Sequence, residues 1–218
     1  MGGMFHADGA LGLGSYPAVN SYTAISAEAG IASRANNQSY SATAACMNIF
    51  NQSSDDEGGR RVIIPRKLEL IAQDGNDNGT DIRLHFYRDN IDRWSSGGTE
   101  LTPYPLAGSE NDDFVQIAAK AKIYVGDLTL ATAGSLERCL WRTIAKNEIL
   151  VENDKITVLW GASGENSVVA ASEFTVVTVP PMWIGPGKNL SIRDVGAAQT
   201  VDPQWQYNFW WEEIETSA

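Results

Sequence analysis

Between Gln204 and Glu212 the chain alternates with a period of two: Trp205, Tyr207, Phe209 and Trp211 take the odd places, and Gln206 and Asn208 fall between them. In an extended chain successive side chains point to opposite faces, so this spacing sets four aromatic rings on one side of a sheet and leaves Trp210 on the other. A helix would scatter the same rings around its circumference. Four such rings, at about 150–250 Å² each, bury enough surface to seal a domain core. Just upstream, Ile184-Gly185-Pro186-Gly187-Lys188 predicts a turn, and Leu190 and Ile192 resume the alternation.

Elsewhere the same period recurs in shorter pieces. Met47 and Ile49 begin one run, and Asn51 to Gly59 is a polar loop. Val62, Ile64, Leu68 and Leu70 then share a face, with Pro65 marking an edge position or a bulge because it removes a ladder donor. After the turn-forming cluster Asp74 to Thr80, Ile82, Leu84 and Phe86 alternate with Arg83, His85 and Tyr87. Trp94 to Gly108, with its prolines and glycines, reads as a long surface connection. Across Phe114 to Val125 the alternation of Ala119, Ala121, Ile123 and Val125 favours a strand over a helix. Leu136 to Ala145 is a strand, with a short helix over Leu136 to Trp141 as the alternative, and Ile149 to Val151 a further strand. Ile156, Val158 and Trp160 mark another, as do Phe174, Val176 and Thr178, stopped by Pro180-Pro181. Residues 1–40 differ: they are rich in Gly, Ala, Ser and Asn, and their apolar residues are scattered. Such a segment cannot repay its ordering entropy alone and is expected to be an arm, mobile or laid against a neighbour. The expected organisation is an arm over 1–40 and a β domain over 41–218. About eight to ten strands without a sustained amphipathic helix imply an all-β fold, an antiparallel jelly-roll sandwich with an extended N-terminal arm.

Composition narrows the function classes. The chain has 218 residues, 43% of them hydrophobic, enough for one large β domain with a real core. Lys and Arg total 16 against 27 Asp and Glu, a net charge of −11 that repels phosphate backbones and argues against a nucleic-acid partner. The dense basic pairs are Arg60-Arg61 and Arg66-Lys67. Cys46 and Cys139 are too few for a disulfide framework and lack zinc spacing, so they read as small buried hydrophobes in a reduced compartment. No apolar run approaches the ~18 residues of a membrane span, and no signal-peptide pattern precedes Arg34. The sequons at Asn37, Asn51, Asn78 and Asn189 are then chance matches.

Candidate chemistry is thin. Asp74-Gly75-Asn76-Asp77-Asn78-Gly79 has the spacing of a calcium loop through its glycine, but His85 stands where the bidentate carboxylate belongs and the flanks are strands, so a turn is the better reading. Gly185-Pro186-Gly187-Lys188-Asn189 lacks the first glycine and the final Ser or Thr of a phosphate loop. A metal centre of the cupin kind needs several neighbouring histidines, and the chain has only His6 and His85. Neither does it carry a nucleophile elbow. The acid pairs Asp55-Asp56, Asp112-Asp113 and Glu212-Glu213 read as solubilising groups, although a glycosidase pair drawn from distant strands stays open. Trp141, Trp160, Trp205 and Trp211 fit inward strand positions; Trp94, Trp183 and Trp210 are candidates for an interface. No catalytic residue, metal ligand or cofactor site is assigned.

The order of a small-residue arm, Met47-Asn48-Ile49-Phe50-Asn51 before an Asp/Gly loop, Val62 to Leu70, Thr99-Glu100-Leu101-Thr102-Pro103, the turn Ile184-Gly185-Pro186-Gly187 and a closing aromatic strand ending in Glu212 resembles virion proteins of tailed bacteriophages. More narrowly, residues 45 to 215 look like the trimeric jelly-roll cement or decoration proteins of capsids. The resemblance implies a fold similar to tumour-necrosis-factor-like trimers, an acidic outward surface and an arm that grips neighbouring subunits. It implies a structural protein without catalysis, made in the host cytoplasm and placed on the outer capsid surface, whose partners are the major capsid protein and two further copies of itself. The opposed readings are a fibre-tip or carbohydrate-binding module using exposed tryptophans, and a jelly-roll glycan hydrolase using two distant acids.

Overall fold

The aromatic alternation of residues 204–212 becomes the middle of a sheet. The computed structural model describes residues 19–33, 41–53, 60–73, 82–106, 118–146, 151–161, 174–196 and 204–216. Its strands are β1 (Val19–Ile25), β2 (Ile31–Ala32), β3 (Ala44–Asn51), β4 (Arg60–Ala72), β5 (Ile82–Asp89), β6 (Trp94–Leu101), β7 (Tyr104–Pro105), β8 (Ala121–Leu130), β9 (Arg138–Lys146), β10 (Lys155–Trp160), β11 (Phe174–Val179), β12 (Asn189–Gly196) and β13 (Gln204–Thr216). They form a seven-stranded sheet in the order β11-β10-β4-β13-β1-β7, with β2 also on β13, and a six-stranded sheet in the order β6-β8-β3-β12-β5-β9. The two sheets bury one common core, so the chain is an all-β sandwich.

β13 holds the core together in the register the alternation demands. Trp205, Tyr207, Phe209 and Trp211 are buried, while Gln206 and Asn208 are half-buried and Trp210 is exposed. Their rings continue as a chain through both layers. Tyr22 stacks on Trp211 at 5.6 Å, Trp211 on Phe209 at 5.1 Å, Phe209 meets Trp160 edge-on at 6.2 Å, and Trp160 meets Phe86 of the facing sheet at 5.9 Å. Each contact adds about 0.5–1.5 kcal/mol beyond area burial.

Pro65 sits at a bulge, as a missing ladder donor requires. Trp210 pairs with Lys67 and Trp211 with Pro65, so Arg66 is the extra residue of β4. One inserted residue reverses the pleat: Leu68, Leu70 and Ala72 face inward on one side of the bulge, whereas Arg61 and Ile63 do so on the other, and Val62 is displaced outward.

Four expectations need correction. Part of the segment 1–40 is not an arm: β1 pairs along its length with β13 and puts Tyr22 and Ala24 in the core. Its alternation escapes notice because Ala24 is small and Thr23 and Ser21 between are polar and β-compatible. Second, Trp94 to Leu101 is an edge strand on β8, not a surface connection; its glycines occupy positive φ at a register shift, Gly97 at 78° and Gly98 at 67°. Third, the sandwich is not wholly antiparallel, since β10 and β11 run parallel. Fourth, in β11 the core faces are Thr175, Val177 and Val179, so Val176 and Thr178 point the other way from the expected register. Within Leu136 to Ala145 the strand is β9, starting at Arg138, and Leu136 lies in the turn before it. Ile149 lies outside the described residues.

Candidate functional site

Most residues singled out for chemistry either lie outside the described residues or serve the fold. His6, Asp55-Asp56, Asp74 to Gly79, Asp112-Asp113, Asn37 and Asn78 are outside. Asn51 and Asn189 are fully buried: Asn51 Nδ2 donates to the carbonyls of Arg61 and Ile184 at 2.7 and 2.8 Å, and Asn189 Nδ2 to Asn48 Oδ1 at 2.6 Å. Cys46 is buried and free, its thiol pushed well up by burial; Cys139 is free and half-buried. Among the described residues no cluster of His, Cys, Asp and Glu could hold a metal ion, and no helix could cross a membrane.

Glu212-Glu213 is not a solubilising pair. Glu213 is fully buried, accepts from the Lys120 and Ala121 amides at 2.8 and 3.0 Å and from Trp211 Nε1 at 3.2 Å, and pairs with buried Arg61 at 3.3 Å. Glu212 pairs with Arg66, and Lys67 with Glu69. Arg61, Arg66 and Lys67 of the basic pairs are thus bound to strand carboxylates. Burial raises the Glu69 carboxyl, but hydrogen bonds from Lys155 and Lys67 outweigh it and hold the group below its ordinary value.

A second buried polar cluster covers the outer face of the six-stranded sheet, where alternation alone predicts solvated side chains. Asn48, Asn189, Ser191, Arg193 and Asp89 are buried there, opposite the core residues Ile49, Leu190 and Ile192. The segment after β5 and the connection from β8 to β9 fold over them. Arg93, fully buried, pairs with Asp89 at 3.1 Å and with Glu137, and donates to the carbonyls of Ala131 and Ala42, each at 3.0 Å. Glu137 also pairs with Arg193, whose guanidinium lies 4.0 Å over the Tyr87 ring. No sequence motif announces this cluster; its only trace is the density of Asn, Asp and Arg at outward strand positions.

Beside it, His85 has Arg193 opposite on β12 and Arg142 opposite on β9. Burial first, then the charges of Arg142, Arg83 and Arg193, hold the imidazole below its ordinary value, and its Nδ1 is buried without a hydrogen-bond partner.

Two features face solvent and are available to a ligand or partner. One is a groove of about 320 Å³ where the end of β5, the start of β9 and the turn before β12 meet. Arg88, Arg138 and Lys188 supply its charge, Leu136 and Leu140 its apolar wall, and Asp89 and Asn90 its floor. The other lies on the outer face of the seven-stranded sheet. Tyr104, Thr23, Trp210 and Lys67 stand side by side across β7, β1, β13 and β4. Val19 and Ile25 share that face, and all the large apolar side chains of the row are exposed, Tyr104 by 58% and Trp210 by 39%. Towards β10 the face turns charged, with Lys67 and Lys155 both on Glu69. Trp183, exposed by 65%, precedes the turn before β12. Trp160, Trp205 and Trp211 are core as expected, Trp141 is only partly buried against it, and Trp94 stacks flat on Tyr124 at 4.1 Å.

Compared with family models, with curated proteins and with solved structures, the chain shows no match.

Proposed function

We propose that the chain is a structural virion protein, a cement or decoration protein that reinforces a phage capsid from outside as a homotrimer. The observation that carries this reading is the apolar row on the seven-stranded sheet. Exposed Tyr104, Trp210, Ile25 and Val19 on one sheet face are what a subunit contact requires, and a monomer gains nothing by hydrating them. A jelly-roll topology is part of the same proposal, supported by the non-local strand order in which β12 lies between β3 and β5, and β13 between β4 and β1. The net charge of −11 suits a position outside the shell, away from packaged nucleic acid. In this reading the Gly/Ala/Ser-rich residues before β1 are the gripping element and the major capsid protein is the partner.

Light scattering on the purified chain tests the first half. The expected mass is three times 23.6 kDa, collapsing towards one in Trp210→Glu. Rebinding to capsids stripped of their outer proteins tests the second half, and failure to co-sediment with them would sink it. Trp183 favours one further reading, a carbohydrate-binding module. Glycan binding that quenches tryptophan emission and disappears in Trp183→Ala would support that module against the cement role.

A further inference from the structure

Six cations of this acidic chain are seen paired with acids. Arg61 is on Glu213, Arg66 on Glu212, Arg93 on Asp89, Arg193 on Glu137, and Lys67 and Lys155 share Glu69. Arg88, Arg138 and Lys188 differ in being gathered in one groove, and among the described residues none of them has an ion-pair partner. Moreover, Arg88 and Arg138 are directly opposite each other on β5 and β9. Side chains so paired have Cβ atoms about 4.5–5.5 Å apart, and like charges there are destabilising. Among the described residues the three cations stand together without an acid paired to any of them. Asp89, the acid of the lining, does not neutralise them. Its oxygens are taken by Arg93 at 3.1 Å, the Asn90 amide at 2.7 Å and the Gly134 amide at 2.7 Å.

We propose that this groove is a docking site for an acidic peptide segment of a partner protein. A carboxylate would seat between Arg88 and Arg138 within reach of Lys188, relieving the like-charge pair and accepting bidentate hydrogen bonds. The choice of a peptide over a bare oxyanion follows from the wall. Leu136 and Leu140 are exposed by 52% and 40%, and they fit the aliphatic neighbours of a glutamate but offer nothing to inorganic phosphate. A polyphosphate backbone would also meet the repulsion of the whole molecule, which a segment with one or two carboxylates largely escapes. This site lies apart from the apolar row, so the proposal stands or falls independently of the trimer and capsid tests.

The test is calorimetric titration of the full chain with acetyl-Leu-Glu-Leu-Glu-Leu-amide, with its glutamine counterpart, and with inorganic phosphate. The glutamate peptide should bind, more weakly as salt rises, and the glutamine peptide should bind about tenfold less tightly or worse. Arg88→Gln and Arg138→Gln should each weaken the glutamate peptide by a similar factor. Melting temperatures supply a second readout, because both variants remove the like-charge pair: each should melt at or above the parent. Equal binding of the two peptides, or no peptide binding to the parent, overturns the proposal. So does phosphate binding without peptide binding. A lowered melting temperature in both variants would mean that the arginines serve the fold, and would overturn it as well.

Discussion

Glu213 shows how one residue can be read correctly by type and wrongly by role. As one of two adjacent acids near the end of a strand it suggests solubility, yet the pleat turns it inward onto Arg61, two backbone amides and an indole. Removing it strands a buried guanidinium and three donors, a loss of about 3–5 kcal/mol for one half of a buried pair. Glu213→Ala should therefore lower the urea midpoint far more than Glu215→Ala. Glu215 meets the same Arg61 at 3.5 Å but its side chain is 39% exposed, and solvent-screened pairs of this kind are worth about 0–1 kcal/mol. His85 carries the pH dependence. Its folded value is depressed, so the unfolded chain binds the proton more readily; stability is intact above the unfolded value of about 6.5 and falls as the pH drops towards the folded value. The melting temperature of His85→Gln should decline less than the parent's between about pH 7.5 and about pH 5. Equal declines would show that burial and the flanking arginines do not govern that group.

Among the elements, β6 depends on two glycines. A Cβ on Gly98 would lie 2.5 Å from the Val125 carbonyl oxygen, at a φ of 67° that other residues adopt at a cost. Gly98→Ala should detach this edge strand, seen as faster hydrogen exchange in Trp94–Leu101 while β13 stays protected. Gly187→Ala, at a φ of 63° but with nothing within 4 Å, should show only the smaller conformational cost. The same contrast explains what was legible in the sequence. β13 could be read because its inward residues are large aromatics that alternate with the polar Gln206 and Asn208. β6 could not, because the glycines that let it bulge onto β8 are the residues of a loop. β11, the run Phe174-Thr-Val-Val-Thr-Val179, has β-branched residues on both faces and so no register to read. β4 reads correctly after Pro65, whose bulge was foreseeable, at Leu68 and Leu70; before it the pleat is reversed, so that Arg61 and Ile63 face inward in place of Val62 and Ile64, which follows only from knowing that Arg66 is the inserted residue. The groove was wholly hidden. Arg88, Arg138 and Lys188 are remote in sequence, and only the β5–β9 register and the turn before β12 bring them together.

For the molecule as a whole, β1 makes residues 19–25 part of the sandwich. Under the proposed capsid role, deleting residues 1–18 should leave the melting temperature nearly unchanged while weakening attachment to capsids. Deleting 1–36 should lower it sharply, because Trp211 then loses Tyr22, one of its two stacking partners, and β13 loses the ladder from Val19 to Ile25. Like melting temperatures for the two truncations would mean that β1 contributes little. The same ladder gives the sandwich a mechanical direction. Val19 is paired with Ile214, so the segment entering β1 and the segment leaving β13 depart from one end of the seven-stranded sheet. Tension between those segments would act across the strands and break the rungs one after another, each worth about 0.5–1.5 kcal/mol, instead of loading them together in shear. Pulled this way, the molecule unzips from Val19 and Ile214 inward at low force; pressed or stretched through its sheet faces, it offers no such seam.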